Sequence, residues 1–236
     1  FDWQKLKTAR DGFVRYLNEW YLGYLAEARV ELIRGFARFV GPHALEVGGE
    51  RLTADHIFIA TGGRPHIPEL PGAEFGMTSD GFFELNACPP RVAIAGGGYI
   101  AVELAGMLHT LGAEVTLLVR KDEVLRAFDA TIREQLLERL REDGITVLTR
   151  TQIRAVARLA SGPLSLHCDG QASVLHVDTL IWAIGRDPNT DALNLAAANV
   201  ALNPNGTIPT DPYQNTSVPG IYAIGDVTER FHLTPV

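Results

Sequence analysis

The chain has 236 residues, enough to bury a full core in one or two domains. Its 46% hydrophobic and 21% charged content is that of a globular protein, and a net charge of −7 argues against a nucleic-acid or anionic-membrane surface. No apolar run reaches the roughly 18 residues of a membrane span and no signal peptide is visible, so a cytoplasmic setting is expected. Cys88 and Cys168 read as isolated thiols, and none of the seven histidines has metal-ligand spacing, so no metal is expected.

In chain order, residues 2–28 predict a long amphipathic helix, with Leu6, Phe13, Leu17, Trp20 and Tyr24 at helical spacing as a packing face. Short strands follow: VELIRGFARFVG, then ALEVGGERLTA with a hairpin signal at Gly48-Gly49, then HIFIATGG. The Pro/Gly-rich stretch from Gly62 to Pro90 reads as a connection between domains. From Arg91 the pattern is βαβαβ, with helices after Gly98 (Ile100, Leu104, Leu108 and Leu111 on one face) and over Ala130 to Asp143 (Ile132, Leu136, Leu137 and Leu140 inward). Asp129 is the expected N-cap of the second helix and Gly144 its C′ residue. IRAVARL, LSLHC and SVLHV predict a three-stranded antiparallel meander, DTLIWAIGR a strand that rejoins the sheet, and IYAIGD a last strand between loops.

The segment RVAIAGGGYIAVELAG carries the strongest chemical signal. Gly96, Gly98 and Ala101 fill the G-x-G-x-x-G/A pattern between a predicted strand and a predicted helix. The first glycine makes the tight turn, the second lets the backbone approach a pyrophosphate, and the third small residue lets helix and strand pack closely. The helix N-terminus offers unpaired N–H groups and partial positive charge to phosphates. An NAD site usually places an acid after the next strand to accept from the ribose 2′-hydroxyl. Here that position holds Arg120, Lys121 and, one loop later, Arg126, which suit the 2′-phosphate of NADPH. The competing reading is a solvated mixed-charge loop, because Asp122 and Glu123 lie within it.

ATGGRP, GGGYIAVELAG, VRK…LR, LIWAIGR, YQNT, IYAIGD and LTPV together resemble the flavin-dependent pyridine-nucleotide disulfide oxidoreductases, and GFARFV, TADHIFIATGGRP and SDGFFEL resemble the glutathione reductase branch. The resemblance is collinear over essentially the whole chain. It implies an α/β fold with a Rossmann-like NADPH-binding domain (parallel sheet plus three-stranded antiparallel meander) at 88–208, flanked by incomplete FAD-domain segments at 1–87 and 209–236. It also implies that Gly96, Gly97, Gly98 and Ala101 face the NADPH pyrophosphate and that Tyr99 gates the flavin. Ile100 and Glu103 would then lie near the nicotinamide, Arg120, Lys121 and Arg126 would hold the 2′-phosphate, and Gly185 and Arg186 would border the cofactor. On the FAD side it implies Phe36, Ala37, Thr61 and Gly62 near the adenosine, Gly225 and Asp226 at the flavin side chain, and Leu233 and Thr234 at the isoalloxazine edge.

Members of such a family also need a first FAD fingerprint, a Cys-x4-Cys redox pair and a dimerisation domain carrying a catalytic His, and the 236 residues contain none of these motifs. The chain is therefore expected to be an internal piece of an NADPH-dependent glutathione-disulfide reductase. Such a parent would be a homodimer taking oxidised glutathione, whereas the piece alone would bind NADPH, retain little flavin, catalyse nothing and be prone to non-native dimerisation. Two rival readings are a flavoprotein of the same architecture with another acceptor, such as an NADH oxidase or ferredoxin reductase, and a non-catalytic NADP-binding module.

Overall fold

The computed structural model describes residues 1–228. The chain opens with helix α1 (Trp3–Glu27), whose start is tied by the Asp2 carboxylate accepting from the Lys5 amide at 3.0 Å. Arg29, at φ 56°, ends it in a left-handed turn. Strands β1 (Ala37–Gly41), β2 (Ala44–Val47) and β3 (Glu50–Thr53) form an antiparallel meander, and β4 (Ile57–Ile59) and β5 (Gly63–Pro65) follow. Only Ala37–Gly41 of the predicted strand VELIRGFARFVG is a strand; among the described residues, 30–36 pair with no strand. The β2–β3 turn falls at Gly48 and Gly49 as expected, with φ of 60° and 90°, the left-handed pair that a two-residue hairpin needs.

Then come β6 (Met77–Thr78), α2 (Ser79–Glu84), β7 (Arg91–Ala95), α3 (Tyr99–Thr110), β8 (Glu114–Leu118), α4 (Ala130–Glu142) and β9 (Thr146–Leu148). The antiparallel strands β10 (Gln152–Arg158), β11 (Leu164–Asp169) and β12 (Val174–Val177) precede β13 (Thr179–Trp182), β14 (Arg186–Pro188) and β15 (Ile221–Ala223).

The chain divides into two compact units, one of Phe1–Phe13 with Pro65–Gly185 and one of Val14–Arg64 with Arg186–Val236. In the first, a five-stranded parallel sheet has the order β6-β13-β7-β8-β9. Alternation along β7 sorts its two faces. Val92 and Ile94 join Leu117 and Ile181 under α3, which contributes Ala101, Leu104, Ala105 and Leu108. Ala93 and Ala95 join Leu180 and Trp182 under the β10–β12 meander, which contributes Ile153, Val156, Leu164 and Leu166. The central sheet is thus covered by helices on one face and by the meander on the other. At the start of β7, Arg91 grips Asp178 through Nε and Nη2, both at 2.9 Å, and this guanidinium holds the Asp178 carboxyl below the usual carboxylate range.

Four expectations change here. The face of α3 that is buried is Ala101/Leu104/Ala105/Leu108, with Ile100 and Leu111 at its margin, because small residues admit the closest approach to β7 and β8. Ile132 of α4 points outward at 55% exposure, and Leu140 is the helix's buried residue. The stretch 62–90 is more than a connection, since it supplies an edge strand and a helix, and Ala73 accepts from the buried Trp182 indole at 2.9 Å. Packing also places residues 186–208 outside the first unit, because Leu193, Leu195, Ala198, Val200 and Ile208 share a core with Phe39, Ile57, Ile59 and Ile221. The expected caps of α4 are present: the Asp129 side chain accepts from Thr131 N–H at 2.9 Å, and Gly144 follows at φ 98°.

The second unit holds the β1–β3 meander, the parallel pair β4–β15 and the pair β5–β14 around that separate core. Along α1 no residue is buried, and Trp20 stacks on Tyr24 with ring centroids 5.5 Å apart.

Candidate functional site

The Gly-rich turn leaves the C-terminal end of β7, the central position of the parallel sheet. Its residues do different jobs. Gly96 sits at φ +143°, and a Cβ there would overlap the Ala183 carbonyl and press on the Ala101 side chain. This glycine and the small residue five positions on are therefore needed by the fold itself. A Cβ on Gly97 would stand 3.0 Å from Val119 Cγ1. Gly98, the N-cap of α3, has an ordinary φ of −85°, and a Cβ on it would meet nothing within 4 Å. Nothing within 4 Å in the protein's packing asks for glycine at 98, so the position is open to the close approach of a ligand. No side chain caps this end of the twelve-residue helix α3.

Tyr99 begins that helix at 37% exposure, Ile100 is half-buried beside it and Glu103 is exposed one turn on. Gly185 lies at the end of the strand segment from β13, where its carbonyl accepts from His66 N–H at 2.9 Å.

The loop after β8 is tied to the turn. Leu125 N–H donates to the Gly97 carbonyl at 2.6 Å, and Val124 is wholly buried. This loop exposes Arg120, Lys121 and Arg126. Its two acids are already engaged: Asp122 is paired with Arg150 and Glu123 with Arg133. Among the described residues, Arg120, Lys121 and Arg126 have no ion pair or hydrogen bond from their side chains, so three cations remain to face a ligand. These residues fit a dinucleotide carrying an extra phosphate. Arg133 and Arg150 escaped the sequence reading because neither is local to its acid. Arg150 reaches Asp122 only because β8 and β9 are adjacent parallel strands, which bring their following loops together, with Arg150 N–H on the Lys121 carbonyl at 3.0 Å.

The second unit collects the other named residues. Thr61 Oγ donates to the Asn189 carbonyl at 2.8 Å, the Asn189 amide side chain donates to the Thr61 carbonyl at 3.0 Å, and Gly62 turns at φ +65°. Arg186 donates from Nη2 to the Gly63 carbonyl at 2.5 Å. Its Nε is buried without a hydrogen-bond partner, 3.9 Å from the Asp226 carboxylate. The structure thus packs Arg186 with Asp226, while Gly185, the residue before it, belongs to the first unit. Gly225 precedes Asp226 at φ +72° and faces open space. Phe36 is 96% exposed beside Ala37 at the start of β1. A buried guanidinium N–H without an acceptor and an exposed aromatic ring fit a further polar and aromatic ligand on this unit. Leu233 and Thr234 lie outside the described residues.

Residues 6–236 match the pyridine nucleotide-disulphide oxidoreductase family. The chain belongs to that family. It is 41% identical over 248 aligned residues to the glutathione reductase of Yarrowia lipolytica, covering 100% of this chain and 53% of that protein. It is 43% identical over 244 residues to the glutathione reductase of Schizosaccharomyces pombe, covering 100% of this chain and 52% of the relative. Among solved structures, the HOCl-induced flavoprotein disulfide reductase RclA from Escherichia coli matches with a TM-score of 0.93 at 29% identity, covering 100% of this chain and 55% of that one. The chain spans about half the length of the curated relatives it matches. It is similar to about half of a glutathione reductase, and members of its family use FAD and a nicotinamide dinucleotide. No helix among the described residues is long and apolar enough to cross a membrane, and no group of three or more His, Cys, Asp or Glu among them is placed to hold a metal ion.

Proposed function

We propose that this chain is the NADPH-binding portion of an NADPH-dependent glutathione-disulfide reductase. When bound, NADPH would supply a hydride equivalent and FAD would supply the two-electron relay towards a disulfide. The residues of this chain bind and orient. Gly96, Gly97, Gly98 and Ala101 with the start of α3 receive the pyrophosphate. Arg120, Lys121 and Arg126 hold the 2′-phosphate, Tyr99 covers the flavin face, Ile100 and Glu103 lie near the nicotinamide, and Gly185 and Arg186 border the NADPH cofactor. Phe36, Ala37, Thr61, Gly62, Gly225 and Asp226, with Leu233 and Thr234, serve the FAD side. The parent works as a cytoplasmic homodimer on oxidised glutathione. The identities of 41% and 43% to two glutathione reductases support the substrate. The 236 residues hold no Cys-x4-Cys pair, so on their own they bind NADPH without turning over a disulfide.

The observation that carries the cofactor choice is the pairing of Asp122 and Glu123 with Arg150 and Arg133, which leaves three unpaired cations on the loop. The test is titration with NADPH and NADH of the protein and of the double variant Arg120→Ala/Arg126→Ala. NADPH should weaken by a few kcal/mol at most, because charge-assisted hydrogen bonds contribute about 1.5–3 kcal/mol each. NADH should barely change, and equal losses for both would remove the 2′-phosphate reading. A second reading, a disulfide reductase with another acceptor, is favoured by the TM-score of 0.93 to RclA. Failure of the whole flavoprotein to reduce oxidised glutathione, with retained NADPH oxidation by another disulfide, would select it.

A further inference from the structure

We propose that Arg133 and Arg150 are positioning residues for nucleotide selectivity: they hold the Glu123 and Asp122 carboxylates away from the phosphate subsite, so that the loop presents its cations alone. The proposal rests on the NADPH reading above and names residues outside the direct phosphate contacts. The loop following β8 carries three cations and two acids within seven positions. Left free, either acid would repel a phosphate dianion or accept from a ribose 2′-hydroxyl, the interaction that selects NADH. Charge placement, more than charge count, decides between the two nucleotides.

The two pairs differ in strength. Arg133 stands on the first turn of α4 with its side chain only 18% exposed, and its Nε is buried without a hydrogen-bond partner. The Arg133 end of this pair is shielded from water while Glu123, at 48% exposure, is not, so losing Arg133 would free a solvated carboxylate beside the phosphate subsite. Glu123 is also the residue whose carbonyl oxygen would lie 3.5 Å from a Cβ on Gly97, so the pair pins the loop where it meets the Gly-rich turn. Arg150 is largely exposed at 78%, and such a pair is weak and screened by salt. Its backbone amide on Lys121 keeps it in reach of Asp122 all the same.

The experiment compares dissociation constants for NADPH and NADH, at low and high salt, for the protein and for Arg133→Gln, Arg150→Gln, Arg133→Gln/Glu123→Gln and Arg120→Ala. Arg133→Gln should weaken NADPH about tenfold and Arg150→Gln about threefold, the scale of one facing charge on an exposed or half-exposed site, with NADH unchanged or tighter. Adding Glu123→Gln should restore most of the NADPH affinity that Arg133→Gln loses, which a purely structural role for Arg133 would not allow. If the NADPH-to-NADH ratio stays constant in the Arg133 and Arg150 variants while Arg120→Ala shifts it, the positioning role is wrong and the NADPH reading stands. If Arg120→Ala does not shift the ratio, the NADPH reading is wrong and the positioning role falls with it. Should Arg133→Gln not fold, Arg150→Gln with and without Asp122→Asn decides the question at the exposed pair.

Discussion

The Gly-rich turn of the first unit and the Arg186–Asp226 neighbourhood of the second are built on different principles. The turn is continuous in sequence: strand, glycines, helix and loop run from Arg91 to Arg126, and its backbone groups rest on a sheet covered on both faces. The other site draws on Thr61, Gly62, Asn189, Arg186 and Asp226, far apart in the chain, and it leaves a buried guanidinium N–H without an acceptor. A contiguous site can be set by local turn chemistry and packing alone. A dispersed one depends on how several loops meet, and it can leave a polar group such as the Arg186 Nε–H without a partner from the protein.

The largest expected effect tests the first half of that contrast. Gly96→Val places side-chain atoms on the Ala183 carbonyl at a positive φ and should destabilise the first unit by about 3 kcal/mol or more, read as a lowered thermal midpoint, with nucleotide binding lost alongside. Gly98→Val separates fold from function. Its backbone is unstrained and its surroundings open, so stability should change by less than about 1 kcal/mol while NADPH affinity falls by at least about tenfold. A variant at 98 that binds normally would break the ligand-approach argument.

Acid unfolding reads a smaller effect. The Asp178 carboxyl is held below its ordinary value by Arg91, so the stability it contributes is complete above that ordinary value, near pH 4. That contribution is lost as the pH falls through the lowered native value. Asp178→Asn should therefore flatten the acid limb of the stability curve and leave neutral-pH NADPH binding unchanged, as monitored by circular dichroism against pH. The smallest effect belongs to the second unit: Tyr24→Ala on α1, where no residue is buried, should shift the stability of the 236-residue chain by no more than about 0.5 kcal/mol in a denaturant titration.

Much of the first unit was legible because its signals are local. Gly96, Gly98 and Ala101 sit between a run of apolar residues and a helical pattern, and Asp129 and Gly144 mark the ends of α4 within a few residues of their partners. The helix faces were harder. The expected stripe through Ile100 and Leu111 gave way to Ala101 and Ala105, because the tight strand–helix crossing selects for smallness over hydrophobicity. Ile132 follows the apolar period yet lies outside the core, since α4 meets the core through Leu136, Leu137 and Leu140 nearer its C-terminal end. The edge strand Met77–Thr78 is too short to carry an alternation signal. The pairs Arg133–Glu123 and Arg150–Asp122 depend on which loops lie side by side at the ends of parallel strands, information that no window of the sequence contains.

The hydrogen bond from Leu125 N–H to the Gly97 carbonyl makes the Gly-rich turn and the cation-bearing loop a single mechanical piece. If a nucleotide binds there as proposed, little chain entropy would remain to be lost on association. Redesigning the protein for a different nucleotide would accordingly call for exchanging side chains on a fixed frame; lengthening or shortening the segment between Arg120 and Asp129 would shift the glycine turn as well.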